Sequence, residues 1–226
     1  MAAKRPVFNR GPRPALRGYL HLFAFWYFLG TGTGLSVVAL TGRGDTDLSV
    51  ATVVYSLCLA GMLAVSATYH RFPLRSESSV QGWRRADHSM IAVFIAGTYG
   101  PVFIGADAPG DKAPIFIVCW SLALVAVAMN IFWIDHPRWL SVAVYLGLGW
   151  VAVFGMDMLT AGLSTTELVL ILVGGFIYSA GALCYALKWP NISEKWFGFH
   201  EMFHAGTIVA AGLHHIAIWM IVLGAS

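Results

Sequence analysis

Charge is what this chain has least of. Only 11% of its 226 residues are Asp, Glu, Lys or Arg, against 58% that are hydrophobic, and the mean hydropathy is +0.71. A soluble domain is roughly 25% charged, so the composition excludes an ordinary soluble enzyme or nucleic-acid binder and identifies an integral membrane protein. Cysteine is scarce too. Cys58, Cys119 and Cys184 each lie inside an apolar run, and an odd number so placed excludes a disulfide framework, leaving them as small packing residues. Acids are missing from residues 1–17, which hold Lys4, Arg5, Arg10, Arg13 and Arg17; a basic, Pro-containing stretch of this kind does not fold by itself. No A-x-A cleavage site follows, and the first apolar run exceeds a signal-peptide core, so that run is expected to be retained. No repeat, low-complexity tract or second domain is visible.

What the chain has instead is a series of apolar runs. They cover about Leu16–Leu40, Val50–Tyr69, a third starting near Asp87 and passing Gly97-Thr-Tyr-Gly-Pro101, then about Ala113–Trp133, Trp139–Leu159, Leu168–Leu187 and Trp196–Leu223. Each is roughly 20 residues, the length a helix needs to cross a hydrocarbon core. The runs are continuously apolar instead of alternating, which excludes a transmembrane barrel. The expected fold is all-α: a seven-transmembrane helical bundle over residues 16–226, preceded by a basic tail at 1–15, with a kink at Pro101 where the backbone N–H is missing.

Charge then orients the bundle. With a cytoplasmic N-terminus, the cytoplasmic segments hold the five tail cations, Arg71, Arg75, Arg84, Arg85, Arg138, Lys188 and Lys195, which is 12 of the 14 Lys and Arg; Arg43 and Lys112 alone fall outside. Miscounting one span would scatter these charges over both sides. The C-terminus is therefore expected outside.

At the start of the last run stands His200-Glu-Met-Phe-His204, an H-E-x-x-H pattern that puts two imidazoles on one helical face. Two histidines fill half a tetrahedral zinc site, and a third ligand must come from another segment. His70, closing the second run, is the candidate. Ser66 lies one turn back on the same face, and Asp87 opens the third run, so the assumed topology brings all of these to one depth. Ionisable groups in or beside spans are expensive, and their convergence marks a site. Taken singly, each has a plainer role: an interfacial hydrogen-bonding His, Asp87 as a helix cap, Ser66 bonded to a carbonyl one turn back, Glu201 as a solvated charge or a partner of Lys195.

Three blocks, Ser66-Ala-Thr-Tyr-His70, Asp87-His-Ser with Gly97-Thr-Tyr-Gly-Pro101, and His200-Glu-Met-Phe-His204, resemble the signature blocks of the haemolysin III family, bacterial relatives of the adiponectin and progestin receptors. The similarity also takes in Arg17-Gly-Tyr-Leu-His21 and Phe197-Gly-Phe-His200, and so covers nearly the whole chain. In that family and the wider superfamily with alkaline ceramidases, seven helices enclose a zinc ion held by three histidines, with an Asp on the water. The resemblance implies His70, His200 and His204 as zinc ligands, Asp87 as the residue that positions the water and Ser66 beside it. Receptor members have a non-acidic residue where Glu201 stands, so Glu201 is expected to border the cavity without being the base. The acidic and Asn residues of the family's first block are not evident near His21, which is left as a candidate for supporting the site from behind its ligands. His88 has no assigned role, and His214 and His215, some ~15–20 Å further along the last helix, are expected to be packing or hydrogen-bonding residues.

The resemblance implies zinc-dependent hydrolysis of a lipid amide or ester, ceramide-like in type, by activated water in a multi-pass protein of the plasma membrane with its site toward the cytoplasm. The expected partner is a membrane lipid, substrate or ligand, and not a nucleic acid. The alternative with the same ligands is a non-catalytic, metal-stabilised receptor or regulator of membrane lipid composition. An intramembrane protease would take an Asp ligand from a later span, and none follows. A pore-forming haemolysin ranks lowest, because the sequence has no amphipathic segment to insert into a foreign membrane.

Overall fold

A computed structural model describes residues 13–42 and 45–224; the cations Lys4, Arg5, Arg10 and Arg43 lie outside them. Among the described residues there is no strand. The helices are α1 (Tyr19–Gly42), α2 (Thr46–Arg71), α3 (Glu77–Gly105), α4 (Ala113–Phe132), α5 (Arg138–Trp150), α6 (Met156–Gly162), α7 (Thr165–Leu187) and α8 (Phe199–Leu223). A five-residue 3₁₀ segment, Val151–Gly155, joins α5 to α6, so these two form one interrupted span. Among the described residues the result is seven spans, each long and apolar enough to cross a membrane.

The spans close into a ring in chain order, with α8 returning to α1. Within the ring α3 is central, touching α2, α4, α5, α6 and α8. Small residues permit that placement. A Cβ at Gly97 would stand 2.9 Å from the Cys58 sulfur, so α2 and α3 approach more closely than any larger side chain would permit. Cys58 and Cys119 are buried and all three cysteines are free, as expected of packing residues.

Two departures from the sequence reading bear on the site. First, α3 starts ten residues before Asp87. Ser76 caps it by accepting from the Ser79 N–H, and its first turns are polar because they extend beyond the apolar stretch. Asp87 is therefore an interior residue of α3 and not its cap. Second, the fifth span is broken. The break has an identifiable cause. Tyr99 of α3 inserts its hydroxyl into the ladder of the fifth span, accepting from the Ala152 N–H at 3.0 Å and donating to the carbonyls of Leu148 and Gly149 at 2.7 and 2.9 Å. Ala152 and Leu148 are the pair an unbroken helix would have joined directly.

Candidate metal centre

Four elements meet at one end of the ring. His21 lies in the first turn of α1, His70 in the last turn of α2, Asp87 in the third turn of α3, and His200 and His204 in the first two turns of α8. The N-terminal segment packs across part of this end. Its Ala15 N–H donates to the Lys195 carbonyl at 2.8 Å. Gly18 then turns with φ +79° directly over the second helix, where a Cβ would stand 2.5 Å from that of His70. Only glycine passes so close in that conformation. Arg71 fixes the same junction by donating to the Tyr19 hydroxyl at 2.7 Å.

His70, His200 and His204 each offer a ring nitrogen, and these atoms lie within 4.8 Å of one another; among the described residues they form the group that could hold a metal ion. Nitrogens bound to one zinc at about 2.0–2.1 Å stand ~3.3 Å apart along an edge of a tetrahedron. The Nε2 atoms of His70 and His200 are 3.3 Å apart. His204 is buried, and its Nδ1 has no hydrogen-bond partner among the described residues. Buried polar atoms are seldom left so, and a neutral three-imidazole donor set with an unsatisfied nitrogen fits a borderline-soft divalent ion.

Asp87 is buried, with its Oδ2 3.7 Å from His70 Nε2 and 3.8 Å from His88 Nδ1. It adjoins the imidazoles but does not belong to their mutual cluster. Ser66, also buried, lies beside the Asp87 carboxylate. His88 donates from Nδ1 to the Arg84 carbonyl at 2.9 Å.

Glu201 takes none of the roles expected of it, solvated charge, partner of Lys195 or lining of the cavity. It is fully buried, accepts the Gly198 N–H at 2.9 Å to cap α8, and pairs with the guanidinium of Arg17. This residue of the H-E-x-x-H pattern thus ties the N-terminal segment to the start of the last helix. His21 stacks flat on His204, with centroids 3.8 Å apart and planes 9° from parallel. His214 donates to the Ile171 carbonyl at 3.0 Å, and His215 lies between the Tyr55 hydroxyl at 3.2 Å and the Trp219 indole at 3.1 Å, so both are hydrogen-bonding core residues.

Sequence reasoning missed Tyr185, whose ring is 5.4 Å from that of His200 and which closes one wall of the site. It missed Arg17 as the partner of Glu201 as well, since 184 residues separate them. From this end an apolar chamber of about 180 Å³ runs into the bundle, reaching Phe94, Ile95, Val102, Leu146 and Leu172.

Residues 10–215 match the family described as haemolysin-III related. The chain is 37% identical over 102 residues to the hemolysin-3 homolog of Bacillus subtilis, covering 45% of this chain and 48% of that one. It is 26% identical over 163 residues to hemolysin-3 of Bacillus cereus, covering 69% and 74%. The progestin and adipoQ receptor-like protein 1 of Caenorhabditis elegans is 25% identical over 246 residues, covering 93% of this chain and 56% of its own length. The aligned region thus spans about half of the first and third of these relatives and three quarters of the second. A match over most of its length, on a seven-span helical bundle with this histidine group, makes the chain a member of the haemolysin III family.

Proposed function

We propose that this protein is a zinc-dependent hydrolase of a lipid amide or ester, in a single domain over residues 16–226. It works in the plasma membrane with the site facing the cytoplasm. The observation that carries the reading is the buried group His70, His200 and His204 beside Asp87, at the polar end of an apolar chamber. The three imidazoles would hold the ion, which when bound supplies Lewis-acid activation of water and of a carbonyl near neutral pH.

The chain's own residues do the rest. Asp87, next to His70 but outside the ligand set, accepts a proton from the attacking water and returns it to the leaving amine or alcohol. Ser66 holds the carboxylate by donating its hydroxyl proton to it, so the base is oriented before substrate arrives. His21 fixes the plane of His204 by stacking on it. The apolar chamber takes the acyl chain and excludes bulk water from the carbonyl.

The test is turnover of a fluorescent long-chain amide and the matching ester by zinc-saturated protein in nanodiscs. Asp87→Ala should keep its metal, with affinity weakened on the order of 10 to 100-fold, and should slow cleavage by roughly 10² to 10⁴-fold. Equal rates in wild type and Asp87→Ala would end the mechanism. A second reading, a metal-stabilised receptor or regulator of membrane lipids, draws on the similarity to the progestin and adipoQ receptor-like protein. It gains if zinc is bound and neither protein turns over any lipid of the panel.

A further inference from the structure

Behind the histidines lies a second cavity of about 580 Å³, opening at the same end of the bundle. Its walls carry Arg13, Arg17, Arg84, Arg138 and Lys188, and no Asp or Glu. The two cavities share a partition made by His88, Ser141, Tyr185 and His200. An apolar chamber, a candidate metal centre and a basic vestibule therefore lie side by side, with those four residues bordering both cavities.

Two of the vestibule's cations have a carboxylate partner outside it. Arg17 pairs with Glu201, and Arg84 donates to Asp135 at 2.9 Å, but that carboxylate is 78% exposed and the pair is correspondingly weak. Arg138 has no carboxylate among the described residues. Its guanidinium lies over the rings of Tyr185 and Phe199 at 5.0 and 5.5 Å, and its Nη1 is buried without a hydrogen-bond acceptor. Stacking holds the fork rigid and leaves its N–H groups for a ligand. Concave positive walls of this kind concentrate an anion far more than a flat surface does. Arg75 and Lys195, by contrast, do not line the cavity.

We propose that the vestibule recognises the phosphate of an anionic acyl lipid whose chain lies in the apolar chamber and whose acyl linkage lies at the histidine group. The inference rests on the hydrolase reading for the linkage alone, and names its substrate class: a phosphate-bearing lipid in place of a neutral one. Arg138 and Lys188 meet the phosphate oxygens, the guanidinium through paired N–H donors. The acyl chain and the phosphate thus sit on opposite sides of His200, which sets the register of the carbonyl between them.

Binding tests this without turnover. Full-length, zinc-loaded protein in detergent is titrated with the ether-linked analogues of dioctanoyl phosphatidate and dioctanoylglycerol, which a hydrolase cannot cleave, and with inorganic phosphate, followed by the fluorescence of Trp139 and Trp150, which line the vestibule and the chamber. Phosphatidate should bind at least ~10-fold more tightly than the glycerol lipid, and Arg138→Gln should remove roughly 10-fold of that preference with little effect on the neutral lipid. Arg138→Lys, which keeps the charge and loses the fork, should fall between, and guards against a folding defect in Arg138→Gln. Equal affinity for the two lipids would overturn the proposal, as would an equal loss in Arg75→Gln and Lys195→Gln. Inorganic phosphate binding as tightly as phosphatidate would replace the lipid by a soluble anion and overturn it too. Selective binding without hydrolysis would uphold this inference while removing the hydrolase reading. Hydrolysis at one rate for charged and neutral lipids would do the reverse.

Discussion

Replacing Arg17 by Met should destabilise this protein more than replacing Glu201 by Gln, although both changes cut the same ion pair. The asymmetry comes from burial. The Glu201 side chain is fully buried, whereas that of Arg17 is 17% exposed. Arg17→Met strands a carboxylate with no route to water, and breaking a buried pair in that way costs about 3–5 kcal/mol. Glu201→Gln instead leaves an amide oxygen to accept from the Gly198 N–H, and frees a guanidinium on a long stem that reaches solvent. That change should cost about 1–2 kcal/mol. The double variant should cost less than Arg17→Met alone, because it also removes the stranded charge. Unfolding in mixed micelles, titrated with denaturing detergent and followed by tryptophan fluorescence, measures all three. Under the same account Glu201→Gln retains its zinc and most of its turnover. A larger loss for Glu201→Gln than for Arg17→Met would refute the strut role, and abolition of turnover at full stability would restore Glu201 as the base.

Two further outcomes are expected. In a background lacking Cys58, Cys119 and Cys184, a cysteine at Asn9 should be shielded from an impermeant thiol reagent in intact cells while one at Ser226 labels; the same side for both would mean an even number of spans. Tyr99→Phe should destabilise the bundle by about 1–3 kcal/mol, the cost of an unmet buried hydrogen bond at the break in the fifth span, and a neutral result would mean that Ala152 and Leu148 simply re-form a helical bond.

The span count and the meeting of His70 with His200 and His204 were legible because both depend on one-dimensional signals. Runs of about 20 apolar residues are set by bilayer thickness, and the side on which each ionisable residue lies follows from counting spans. Asp87 was legible by depth and misread by context: the helix begins at Glu77, because a polar stretch capped by Ser76 continues the periodicity beyond the apolar limit. The break in the fifth span was hidden because its cause, the Tyr99 hydroxyl, lies on another helix some fifty residues earlier. Glu201 was the most ambiguous residue. Its local pattern announces a base, and only the long-range position of Arg17 reveals a capped, paired strut.

His70, His200 and His204 are expected to hold one zinc ion, which elemental analysis and X-ray absorption at the zinc edge would test. Purified protein should carry about one zinc per chain, with three imidazole nitrogens at about 2.0–2.1 Å. His70→Ala, His200→Ala and His204→Ala should each lose the metal, and with it the tie between α2 and α8 that stabilises the bundle. Full zinc content in His70→Ala, or an absorption spectrum dominated by sulfur or carboxylate ligands in the wild type, would contradict the assignment.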